Sequence, residues 1–95
     1  MAAGTYTAQM AVSRWTGRWR LYVALLGEPS SQWPEYEFGG AVVPTVAARS
    51  RALNALGYVF TDGAEWTWTE DSTVPDDAAS PVLLIASAAV REAGP

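Results

Sequence analysis

The chain has 95 residues, five tryptophans and a net charge of −4, with no histidine, cysteine or lysine. The missing His and Cys exclude the usual nucleophile–base pairs, imidazole and thiolate metal sites, disulfides and near-neutral proton shuttles. A composition 49% apolar and 17% charged excludes a disordered chain, and this length allows one domain with one modest core.

Thr5 to Ser13 reads as a strand, with Tyr6, Ala8, Met10 and Val12 on one face and Thr5, Thr7, Gln9 and Ser13 on the other. Arg18 to Leu26 reads as a second, with Trp19, Leu21, Val23 and Leu25 opposite Arg18, Arg20 and Tyr22. Thr16-Gly17 between them predicts a two-residue turn. That closure pairs Val12 with Leu21, Met10 with Val23 and Ala8 with Leu25, so the apolar faces coincide. Residues 27–44 form a long connection punctuated by Pro and Gly. Within it, alternation of Tyr36 and Phe38 with Glu35 and Glu37 marks a short edge strand.

Pro44-Thr45 begins the one clear helix: Thr45 caps it, Val46 to Leu56 forms it, and Gly57 ends it. Tyr58 is expected to touch Leu53 across the C-terminal cap. The expected buried stripe is Val46, Leu53 and Leu56 with Ala52 between, and Arg49 and Arg51 flank it or face away. Tyr58 to Glu70 is extended, and Asp62-Gly63 is either a tight turn or a bulge. Residues 71–81 are a polar loop. Val82 to Val90 is the last strand, apolar on both faces at first and therefore central or covered twice. The order β-β-α-β(-β)-β predicts a single α+β domain over 1–95, with one helix packed on an antiparallel sheet of four to five strands in two layers. One helix covers only one face, so the open face is where function is expected.

Residues 1–51 carry five Arg against three Glu, whereas residues 52–95 carry one Arg against seven acids. Such polarity suits head-to-tail self-association or a charged partner. Met1 to Thr5 contains no signal-peptide pattern, and the longest apolar run, Val82 to Ala86, falls far short of the ~20 residues that span a bilayer. A cytoplasmic protein without membrane contact is expected.

Trp19-Arg20-Leu21, Trp33-Pro34, the Pro44-Thr45 helix start, Ala55-Leu56-Gly57-Tyr58 and the run Gly63 to Asp71 span most of the chain. In these segments it resembles a group of small uncharacterised actinobacterial proteins of the Streptomyces type. The resemblance implies a bacterial cytoplasmic protein and no site residues.

Three constellations carry the functional expectations. On the outer hairpin face the predicted register sets Trp15 opposite Arg18, Ser13 opposite Arg20 and Ala11 opposite Tyr22. Trp33 and Tyr36 form an adjoining rim. Trp, Tyr and Arg are the enriched anchors of protein interfaces, so Trp15, Arg18, Arg20, Tyr22, Trp33 and Tyr36 are the expected partner-binding residues. Arg18 and Arg20 would meet carboxylates of a protein partner or of a second copy, with its acidic 62–77 region as the candidate. The alternative is a single-stranded nucleic-acid binder on the same face, against which the net acidity counts. The second constellation, Trp33 to Phe38, is either a lid over the core or a docking loop. The third, Glu65, Trp66, Trp68 and Glu70, is either core strand or a sugar-binding or hydrolytic site, which needs both tryptophans on an exposed cleft. No catalytic, cofactor or metal residues are expected, and the protein reads as a non-enzymatic interaction module that forms homodimers.

Overall fold

The structure is a computed structural model that describes residues 4–13, 15–72 and 76–94. Arg14 of the hairpin loop and residues 73–75 of the expected polar loop lie outside these. Six strands form one antiparallel sheet: β1 (Thr5–Val12), β2 (Trp19–Ala24), β3 (Glu35–Glu37), β4 (Tyr58–Phe60), β5 (Thr67–Ser72) and β6 (Val82–Glu92). One helix, α1 (Val46–Ala55), follows β3. The spatial order is β3-β2-β1-β6-β4, with β5 also on β6.

The expectation of a two-layer helix-on-sheet α+β fold is corrected. The sheet curls into an antiparallel half-barrel, and the helix is too short to form a layer. Ten residues give a helix of about 15 Å, and it buries only Arg49, Ala52 and Leu53. The curl has a residue-level cause. Ala8 pairs with Ala88 at the middle of the sheet, and Met10 pairs with Ala86 beside it. These alanines are buried on the inner face. Small side chains there let the sheet bend towards itself, and larger neighbours fill the concavity. Met10, Leu21, Val23, Leu53 and Val90 supply that filling.

The hairpin keeps the predicted parity but slips by two residues. Met10 pairs with Leu21, Ala8 with Val23 and Val12 with Trp19. The turn is longer than Thr16-Gly17 alone. Ser13 N–H donates to the Arg18 carbonyl at 2.9 Å, and Gly17 N–H to the Ser13 carbonyl at 2.8 Å. Ser13 Oγ and Thr16 Oγ1 accept from the amides of Trp15 and Arg18, which tightens the loop. Ala11 therefore faces Arg20, and Gln9 faces Tyr22.

The helix caps form as predicted. Thr45 Oγ1 accepts from Ala48 N–H at 3.1 Å. Gly57 has φ +91 and donates to the Asn54 carbonyl at 3.0 Å. Its buried face differs from the expected stripe. Val46 is 60% exposed, whereas Arg49 is 8% exposed and lies inward with Ala52, Leu53 and the half-buried Leu56. Positions 49, 52, 53 and 56 form a regular helical stripe that includes a charge.

β6 is central, as its apolar start predicts, but it outruns its neighbour. β1 pairs with Ala86 to Arg91 only. On the other edge, β4 pairs over Val90 to Glu92 and β5 over Val82 to Ser87, both antiparallel to β6. β4 and β5 thus run end to end, and the six residues between them lie opposite Ala88 and Ala89. Asp62-Gly63 turns the chain inside this interruption, with Gly63 at φ +74, without making a hairpin. The first half of β6 and all of β5 form an arm beyond the core, and every residue of β5 is exposed.

The burial pattern makes a direct prediction. Leu53→Ala should lower stability by about 2–5 kcal/mol through a core cavity, whereas Val46→Ala should change it by about 0.5 kcal/mol or less. Urea unfolding curves of the two variants check this. Equal losses would contradict the observed helix face.

Candidate functional site

The outer face is built on the first constellation. Residues paired across strands share a face, so Gln9, Tyr22 and Glu35 form one row and Ala11, Arg20 and Glu37 the next. Tyr22 donates its hydroxyl to Gln9 Oε1 at 2.9 Å. Its ring stacks on Trp33, with centroids 6.0 Å apart, and the Arg20 guanidinium lies 5.6 Å from its centroid. Trp33 is held by its indole N–H, which donates to the carbonyls of Leu25 and Glu28. A groove of about 400 Å³ is lined by Arg20, Tyr22, Ser30, Ser31, Trp33 and Glu35.

Three of the six expected interface residues therefore converge here: Arg20, Tyr22 and Trp33. The others do not. Trp15 is 89% exposed in the hairpin loop rather than on a strand opposite Arg18. Tyr36 pairs with Leu21 on the inner face and packs its ring against Phe38 at 5.1 Å. Trp33 and Tyr36 therefore cannot form one rim. Arg18 and Arg20 have partners within the chain, Glu37 at 3.6 Å and Glu35 at 3.0 Å. These half-exposed pairs are worth about 0–1 kcal/mol each, but they satisfy the charges that a partner was expected to meet. Residues 33–38 are not a lid, since their aromatics divide between the two faces.

The inner face presents a different chemistry. Arg49 points from α1 between Trp66 and Trp68, with its guanidinium carbon 5.4 Å and 5.7 Å from their ring centroids. Nε donates to the Pro44 carbonyl at 2.9 Å. Among the described residues no carboxylate lies within 4.0 Å of it. Burial pushes its pKa below the ordinary arginine value, yet a guanidinium stays protonated at neutral pH. Trp68 in turn meets the edge of Trp19 at 5.9 Å, and Trp19 donates its indole N–H to the Ala41 carbonyl at 3.0 Å. Trp66 packs edge-on against Phe60 at 5.9 Å. Its indole N–H is buried without an acceptor among the described residues.

The third constellation is thus split. Trp66 is half-buried and Trp68 is 41% exposed, so they do not form the exposed pair that a sugar platform needs. Beside Trp68 the same face continues onto the arm with Leu84 and Val82, 48% and 55% exposed. Val43 and Val46, also exposed, flank the Pro44 that Arg49 grips. Arg49 was not expected here. Its spacing from Ala52 and Leu53 is the signal that points to it.

Among the described residues no three carboxylates converge to hold a metal ion, and no helix is long and apolar enough to cross a membrane. The model of a family of unknown function, DUF6303, matches residues 4–95. No curated protein and no solved structure matches the chain.

Three tyrosines have raised pKa values. Tyr6 is raised mainly by the hydrogen bond that its hydroxyl donates to Glu92 at 3.2 Å, Tyr22 mainly by burial, and Tyr58 also by burial. A raised folded pKa favours the neutral phenol, so the associated stability is fully present below the unfolded value of about 10 and is lost as pH rises through the folded value. Urea midpoints should therefore fall with increasing pH above about 10, and the fall should be shallower in Tyr6→Phe. An identical slope in the variant would contradict the Tyr6–Glu92 bond.

Proposed function

The chain belongs to DUF6303, a family of unknown function, and we propose that it is a non-enzymatic protein-interaction module that self-associates through the open inner face of its sheet. One observation carries this reading: the apolar row of Trp68, Leu84 and Val82 continues from the core onto an arm where, among the described residues, it stays about half exposed. Contiguous exposed apolar surface on a small domain marks an interaction site. Its rim carries Glu70, which makes this a mixed rather than purely greasy surface.

The non-enzymatic part of the reading rests on the side chains present. There is no His or Cys, and the acids of residues 62–77 are exposed. General acid–base chemistry needs carboxylates in a dry cleft with shifted pKa values. The outer face is the weaker candidate for association. Arg18 and Arg20 are already paired, and Tyr22 and Trp33 have their polar groups satisfied. The same pairing counts against single-stranded nucleic acid, which needs free cations along a groove.

Sedimentation velocity over a concentration series tests the proposal. The wild-type chain is expected to shift from monomer to dimer. Leu84→Glu should keep the same circular dichroism and stay monomeric, because it places a charge on a half-exposed position within the strip. Arg18→Glu/Arg20→Glu should dimerise as wild type does. A wild-type chain that is monomeric throughout would contradict self-association, and loss of dimer only in the double arginine variant would move the interface to the outer face.

A further inference from the structure

Arg49 is 8% exposed, and among the described residues no carboxylate lies within 4.0 Å of it. Among the described residues, its Nε donates to the Pro44 carbonyl and its terminal amino groups make no hydrogen bond. Its guanidinium carbon lies over two indole rings, and one of them, Trp66, adds a buried N–H with no acceptor among the described residues. The terminal amino groups are not among the buried unbonded atoms of the described residues, so they open to the surface, where a carboxylate can reach them. The cluster therefore consists of donors that lack an acceptor carrying negative charge.

Glu70 is the reverse case. It lies opposite Leu84, two residues along β5 from Trp68, so it shares the inner face. It is exposed, and among the described residues it pairs with no cation. Asp71, next to it, lies opposite Leu83 and faces outward. The unpaired cation and the unpaired anion thus occupy one face, on either side of Trp68. Two residues of strand put Glu70 about 7 Å from Trp68 along β5, and the Arg49 guanidinium carbon lies 5.7 Å from the Trp68 ring.

This spacing is self-complementary. In a two-fold dimer, residue i of one copy meets residue j of the other, and j meets i. An axis passing beside Trp68 carries Arg49 of one copy onto Glu70 of the second, and Glu70 onto Arg49. We propose that Arg49 is the receiving half of a reciprocal intermolecular ion pair, filled by the Glu70 carboxylate of a second copy of this chain. The inference rests on self-association through the inner face and names the contact that specifies it. A carboxylate has lone pairs enough for the terminal amino groups of Arg49 and for a neighbouring indole N–H. The apolar row of Trp68, Leu84 and Val82 would shield the pair from water and raise its selectivity.

The test uses charge reversal at exposed positions of the full chain, read by sedimentation equilibrium. Glu70→Arg should weaken dimerisation about ten-fold or more, since it sets like charges together. Asp71→Arg makes the same charge change on the outward face of the same strand and should alter it by about two-fold at most. A mixture of Arg49→Glu and Glu70→Arg should form a 1:1 heterodimer in which both pairs are restored, more tightly than either variant dimerises alone. If Arg49→Glu does not fold by circular dichroism, the comparison of Glu70→Arg with Asp71→Arg still decides. Equal dimerisation of Glu70→Arg and wild type, with Leu84→Glu monomeric, would overturn the ion pair and leave the interface standing. A wild-type chain monomeric at every concentration would remove the interface itself and the pair with it.

Discussion

The Arg49 guanidinium ties together the parts of the molecule that the sheet alone would leave apart. It reaches back from the helix to the Pro44 carbonyl, and its faces lie against Trp66 and Trp68. Trp68 abuts Trp19, whose indole N–H holds the Ala41 carbonyl. The circuit runs from the connection before the helix, through the helix and β5, to β2 and back. A cation–π contact is worth about 0.5–2 kcal/mol depending on its exposure to water, and here one cation makes two. Neutral packing could hold a helix in place equally well.

Strand lengths decide where the mouth of the half-barrel lies. β6 is eleven residues long, but β1 covers only its second half. The core ends near Ala86, where Trp68, Trp19 and Arg49 meet, and the arm continues with apolar side chains on both faces. The two sides of the sheet are therefore unequal. On the outer side Arg18 and Arg20 each have a glutamate of β3, and the Tyr22–Trp33 stack is pinned by hydrogen bonds. On the inner side, among the described residues, a cation, an indole N–H and an apolar row have no match. That inequality is the ground for proposing the inner side as the interface.

Much of this architecture is legible in the residues. Alternation in Thr5 to Val12 and Trp19 to Ala24 assigns the correct side chains to the core, and Thr45 and Gly57 bound the helix where they should. The hairpin slip shows what alternation cannot carry. A shift of two residues preserves the faces, so the register depends on how the turn closes, and Ser13 and Thr16 close it through their hydroxyls. The same parity argument shows that Trp33 and Tyr36, three residues apart, belong on opposite faces of an extended segment. Arg49 was hidden by its charge. Its helical spacing with Ala52, Leu53 and Leu56 places it inward, but burial of an unpaired arginine runs against ordinary partitioning, and the two tryptophans that permit it come later in the chain. The layered fold was misread for a simpler reason: a ten-residue helix cannot cover six strands, and alanines at the sheet centre allow it to curl over the helix instead.

Amide hydrogen exchange at low and high protein concentration tests the central claim most directly, because it reports which face a second copy covers. The account predicts that exchange slows with concentration at Thr67–Ser72 of β5 and at the adjoining first half of β6, while β2 and β3 exchange at a constant rate. Exchange that is independent of concentration on the arm, or slowing confined to β2 and β3, would contradict it.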